Sequence, residues 1–264
     1  MSISLQKANF WKRISAYMLD CILTILIATG AALAVSSIVR YDDCLASYNA
    51  RQLSYMDKVE EKYNIDLDIS QEAYDALSQS ERAQYDETKQ LALQELNQSL
   101  FADEEFVALR SKLLALILVI ISVSTLIGVA CSYFFIPLFL KNGQTLGKKV
   151  FGLAVMRSNC VQISTPVLFI RSIVGMYAME TMFPMFLCLM IAFGVLGIVG
   201  IVVLVLFFAL QIGVMIATQT NSSIHDLLSD CVVVDFASQQ IFQSEEALIA
   251  YKQKLHAEEV KTRD

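Results

Sequence analysis

The chain of 264 residues is 56% hydrophobic and 17% charged, against about 25% charged for a typical soluble domain, and its mean hydropathy is +0.54. Three prolines and ten glycines exclude a collagen-like chain and a Pro/Gly-rich disordered one. The net charge of −6, from 20 basic and 26 acidic residues, argues as an average against nucleic acid as a partner.

The polar residues come in blocks with long apolar stretches between them, the pattern of an integral membrane protein. A bilayer core of about 30 Å needs about 20 apolar residues as a helix. The first such run, 21–39, has no charge and follows a segment, 1–13, that carries Lys7, Lys12 and Arg13 and no acid. Basic start, apolar run and Ala32-Leu33-Ala34 imitate a cleaved signal peptide. The run is, however, longer than the usual 7–15 residues, and Asp20 interrupts its entry. A retained signal-anchor is expected.

Residues 41–110 hold 16 acids and 6 bases and neither glycine nor proline. They are rich in Leu, Gln, Glu and Ala, so helices are expected. Ser70 suits one N-cap, Ser78-Gln79-Ser80-Glu81 fits a capping box, and Leu91, Leu93, Leu96 and Leu100 supply a partial apolar face. The last helix is expected to run through Asp103–Glu105 into the second apolar run, 113–140. The next block, 141–171, contains Lys141, Lys148, Lys149, Arg157 and Arg171 and no acid. Its Gly143-Gln-Thr-Leu-Gly-Lys148-Lys149 is not a phosphate loop, because the glycines are one residue too close and no Ser or Thr follows Lys148. A turn with a short interfacial segment is expected there, then a β-hairpin around Ser158-Asn159.

The third run, 172–218, is 47 residues long with one charge, Glu180. It reads as two spans, roughly 172–191 and 197–217, reversing near Gly194, Gly197 and Gly200. The tail, 219–264, is acidic and ends in a solvated helix. Basic short loops stay in the cytoplasm, which puts the N-terminus and 141–171 inside, the acidic insert outside, and, with four spans, the tail inside. Three spans would require an outside tail or a re-entrant segment. Cys44 is the one cysteine expected outside. No CxxC occurs, and His225 and His256 lie far apart, so neither a disulfide framework nor a metal site is expected.

Arg13, Ala16, Tyr17 and Asp20 share one helical face. An unpaired carboxylate costs up to about 2.5–3.5 kcal/mol at a span's centre and less near its ends, so Asp20 needs a partner, for which Arg171 is the candidate by depth. Glu180, inside the third span, is a functional candidate by the same cost. Pro184 is expected to kink that helix.

The stretch Arg13-Ile-Ser-Ala-Tyr-Met-Leu-Asp20, the loop from Gly143 to Val155, the helix-opening Arg171, and Ile224-His-Asp226-Leu-Leu-Ser-Asp-Cys-Val-Val-Val234 together resemble the RDD family of membrane proteins, over about 1–40 and 112–236. The family's arginine and two aspartates map by motif onto Arg13, Asp20 and Asp226. The chain departs where the family often has Gly-Thr in place of Asp230-Cys231 and an Asp-Gly turn in place of Asn159-Cys160, and the outer insert is not part of the usual pattern. Most members have no assigned activity; some are similar to sodium/proton antiporters.

The expected fold is thus an all-α membrane protein with about four transmembrane helices, an acidic helical extracytoplasmic insert and a short cytoplasmic β-hairpin. Its segments are 1–40, 41–110, 111–236 and a cytoplasmic tail, 237–264. The expected setting is the cell membrane, as in a bacterial inner membrane, with lipid as the surrounding partner. Two functional readings stand. One is a scaffold or assembly factor whose insert, 41–110, binds a protein partner. The other is a cation/proton (Na⁺/H⁺) antiporter with Asp20, Glu180 and Asp226 as the ion pathway. No nucleophile–base constellation speaks for an enzyme, and no cofactor or metal is expected.

Overall fold

The computed structural model describes residues 8–140 and 143–261; Lys7, Lys141 and the last three residues of the tail lie outside them. Among the described residues, four helices are long and apolar enough to cross a membrane: α1 (Phe10–Ile38), α5 (Glu104–Leu140), α7 (Thr165–Ala192) and α8 (Gly197–Ala217). The turn between α7 and α8 is made by Gly194 and Gly197, both at positive φ, which glycine alone adopts without strain. The single long apolar run is therefore two spans.

The chain divides into two compact units, residues 33–121 and residues 1–32 with 122–264. The first holds α2 (Tyr41–Tyr63), α3 (Gln71–Asp75) and α4 (Gln79–Ala102). Ser70 caps α3 by accepting from the Ala73 amide, and Ser78 and Glu81 form the reciprocal capping box of α4. Val59, Leu67, Ala92, Leu96, Leu100 and Phe106 form its core. The buried stripe of α4 is thus Ala92, Leu96 and Leu100, a strict i, i+4, i+8 row; Leu91 and Leu93 of the expected face are exposed.

The helix does not run from α4 into the span. Asp103 takes an extended conformation, receives the Glu105 amide at 3.0 Å and binds Arg51 Nε at 2.6 Å. An aspartate acceptor that restarts the helix as its cap explains the break. The arginine beside it holds the Asp103 carboxyl down at about 2, although partial burial pulls the other way.

The second unit carries α6 (Leu146–Val150), β1 (Leu153–Arg157), α9 (Ile224–Leu228), β2 (Cys231–Asp235) and α10 (Glu245–Lys261). The turn after β1 forms, with Met156 bridging Gln162. The regular ladder, however, joins β1 to β2, with Leu153 opposite Asp235 and Arg157 opposite Cys231. The sheet's second strand is thus 231–235, not 161–163. Both faces of this ribbon are covered. Ala154, Met156, Val232 and Val234 pack with Phe242 and Leu248, while Leu153, Val155, Cys231 and Val233 pack with Ala8 and Ala16. A strand buried on both sides has a continuous apolar run rather than an alternating one, as Leu-Ala-Val-Met and Cys-Val-Val-Val do.

Leu96→Ala is expected to destabilise the insert by about 2–5 kcal/mol, as truncation of a buried leucine does, while Leu91→Ala leaves it unchanged. Limited proteolysis of the full chain across a temperature series distinguishes the two; equal effects would contradict this packing.

Candidate functional site

Asp20 and Ala16 are buried on one face of α1, and Arg13 continues that face. The Asp20 carboxylate accepts the Thr145 hydroxyl on Oδ2 and the Gly147 amide on Oδ1, the latter at 2.7 Å. Thr145 also caps α6, accepting from the Lys148 amide at 3.2 Å. The Gly143–Lys149 loop is therefore the receptacle for the α1 carboxylate. A Cβ at Gly147 would overlap the Ala16 carbonyl and the carboxylate itself, so only glycine admits this approach.

Asp20 is thus satisfied by the loop rather than by Arg171. Arg171, fully buried, instead binds Asp226: Nε and Nη2 reach Oδ1 at 2.9 and 2.8 Å. The other oxygen, Oδ2, receives the Ser223 hydroxyl at 3.0 Å and faces Arg13 Nη2 at 3.5 Å. Arg13 also donates to the Thr220 carbonyl at 2.7 Å. Burial alone would raise the Asp226 pKa, but the guanidiniums of Arg171 and Arg13 outweigh it and hold the carboxyl well below the usual range.

Glu180 joins the same cluster through His225, whose amide it accepts at 2.8 Å and whose Nδ1 lies 2.7 Å from its Oε2. Arg171 Nη2 lies 3.1 Å from His225 Nε2. A guanidinium can only donate, so Nε2 accepts and the proton sits on Nδ1, donated to Glu180. The histidine bridges the two ion sites.

The backbone makes this possible. Residues Ile170–Met182 of α7 are wound as a π-helix, and the Thr181 hydroxyl reaches the carbonyl five residues back, at Met176. The nine residues from Arg171 to Glu180 are about 2.5 turns of α-helix, which would put them on opposite sides. With i→i+5 pairing they are close to two turns, roughly, and both meet α9. Gly175 lies between them, where a Cβ would come within 2.6 Å of His225 Cβ. Sequence reading placed Arg13, Asp20, Arg171, Glu180 and Asp226 but missed His225, Thr145 and Gly147. The first had only its position beside Asp226 as a signal.

Arg13, Lys148, Arg171, Glu180, His225 and Asp226 are among the residues that line a cavity of about 330 Å³. Lys148 has its ammonium 5.8 Å from the Tyr133 ring centre and no carboxylate within ion-pair distance among the described residues. Burial, then the charge of Arg171, lowers its pKa to about 8, against the pull of Asp20 and Asp226. Among the described residues no His, Cys, Asp and Glu group could hold a metal ion.

The RDD family model matches residues 7–230. The chain belongs to the RDD family. No curated protein and no solved structure matches it. Arg13 and Asp226 meet directly in this chain, while Asp20 anchors the loop.

Asp226→Asn leaves Arg171 buried with its charge unmet, which costs about 3–5 kcal/mol. Lys12→Ala, breaking the exposed pair with Asp235, is expected to leave the melting temperature in detergent unchanged. Because the Asp226 carboxyl is held below its ordinary value of 3.8, its contribution is complete above that pH and is lost as the pH falls toward the folded-state value. Acid should therefore lower the wild-type melting temperature more steeply than that of Asp226→Asn.

Proposed function

We propose that this multi-pass membrane protein is a non-catalytic scaffold or assembly factor. The observation that supports this reading is that both motif aspartates spend their charge inside the fold, Asp20 on Thr145 and Gly147 and Asp226 on Arg171 and Arg13. Groups so fully engaged fit a rigid support better than an ion path. The partner-binding part is then the acidic helical insert, 41–110, which has its own core and is placed outside the cell membrane by the basic loops of the opposite side. Deleting 45–105 should abolish a cross-link to a partner while membrane insertion continues; an unchanged cross-linking pattern would contradict it. Cys44 and Cys160 are buried and would report packing rather than sidedness. In a cysteine-free chain, Gln84→Cys should label from outside and Gln253→Cys only after permeabilisation; the opposite pattern would reverse the orientation.

A second reading, Na⁺/H⁺ antiport, is favoured by one feature. Glu180 and His225 form a hydrogen-bonded acid–base pair on the cavity wall, the arrangement a proton relay uses. It expects cation-dependent dissipation of a pH gradient in inverted vesicles that Glu180→Gln abolishes. Equal rates for wild type and variant would end it.

A further inference from the structure

The carboxylates on the cavity wall are already engaged. Asp226 is held by Arg171, Ser223 and Arg13, and Glu180 by His225. The polar groups left with capacity are of the other kind. Lys148 has no carboxylate partner, and the side-chain amides of Gln211 and Asn221 have no hydrogen-bond partner among the described residues. All three line the cavity and all three can donate. Arg13 and Arg171 face Asp226, and Glu180 is bound to His225, so Lys148 is the cation of the lining that no carboxylate binds among the described residues. A half-buried cation and two idle amides around an open volume complement a monoanion.

The remaining lining says where that anion comes from. Phe10 and Ile14 of α1 and Ile212 and Met215 of α8, two spanning helices, form the apolar walls. Directly beside the cavity lies an apolar groove of about 680 Å³ lined by, among others, Met179, Phe183, Phe207 and Leu210. Ile224 borders both spaces. A charged pocket and an apolar groove that share a wall residue are the footprint of an amphiphile. A free anion would use the first and leave the second empty.

We propose that this cavity is a binding site for one anionic phospholipid, its phosphate held by Lys148, Gln211 and Asn221 and an acyl chain lying in the groove beside Ile224. A phosphodiester carries one negative charge and offers only acceptors, which matches the one cation without a carboxylate partner and the spare donors. The site differs from general attraction of basic residues to an anionic leaflet, which depends on exposed charge and falls off with distance. Lys149 is the neighbouring control, exposed and outside the cavity lining.

The test is native mass spectrometry of the full-length protein released from mixed phosphatidylglycerol/phosphatidylcholine vesicles, with melting temperature read in parallel. Wild type should retain one phosphatidylglycerol at least about tenfold in preference to phosphatidylcholine and be stabilised by it. Lys148→Met and Gln211→Leu should each reduce that retention severalfold, Lys148→Arg should keep it, and Lys149→Met should leave it unchanged. Gln211→Leu removes no charge and guards against loss of folding in Lys148→Met. Equal losses in Lys148→Met and Lys149→Met would reduce the effect to surface attraction and overturn the site. Displacement of the lipid by millimolar inorganic phosphate would assign the pocket to a free anion instead, and no preference for phosphatidylglycerol would overturn it outright.

Discussion

A buried arginine in a membrane protein is tolerable only where its charge is met, and Arg171 is met by Asp226. Two charges withdrawn from water cost several kcal/mol each, and their attraction offsets this only when geometry is good and the remaining lone pairs and protons are satisfied. Here they are satisfied. Ser223 and Arg13 take the second carboxylate oxygen, and His225 takes a guanidinium N–H. The need to complete this pair fixes the ends of α1 and α7 to α9. The π winding of α7 and the glycine at 175 are the backbone conditions for it.

Asp20 solves the same problem by other means. Instead of a cation it uses one hydroxyl and one backbone amide, both from the loop before β1. That choice leaves Arg171 free for Asp226 and, among the described residues, Lys148 without a carboxylate partner. Asp20 and Asp226 thus occupy separate sockets, joined by the ribbon β1–β2. The same ribbon brings the loop and α9, distant in sequence, to one end of the spans.

Much of this was legible in the residues. The four spans, the N-cap and capping box of the insert and the shared face of Arg13, Ala16 and Asp20 follow from hydrophobic runs, cap chemistry and helical spacing. Three things were not. The strand partner of 153–157 lies more than seventy residues away, and local turn chemistry at Ser158-Asn159 pointed to the nearer segment. The partner of Arg171 was assigned by depth, which does not see that a loop hydroxyl satisfies Asp20. Glu180 could not be joined to His225, because a helix read at 3.6 residues per turn sends it to the far side from Arg171. Pattern reading assumes regular periods, and this site is built where the period changes.

The central claim is that Arg171 and Asp226 are stable only as a pair, and a double-mutant cycle tests it most directly. Arg171→Met, Asp226→Leu and the double variant would be melted in the same detergent. Each single change should be strongly destabilising, and the double should fall short of their sum by more than about 1 kcal/mol, the range of coupling seen for residues in one network. Strictly additive effects would contradict the account.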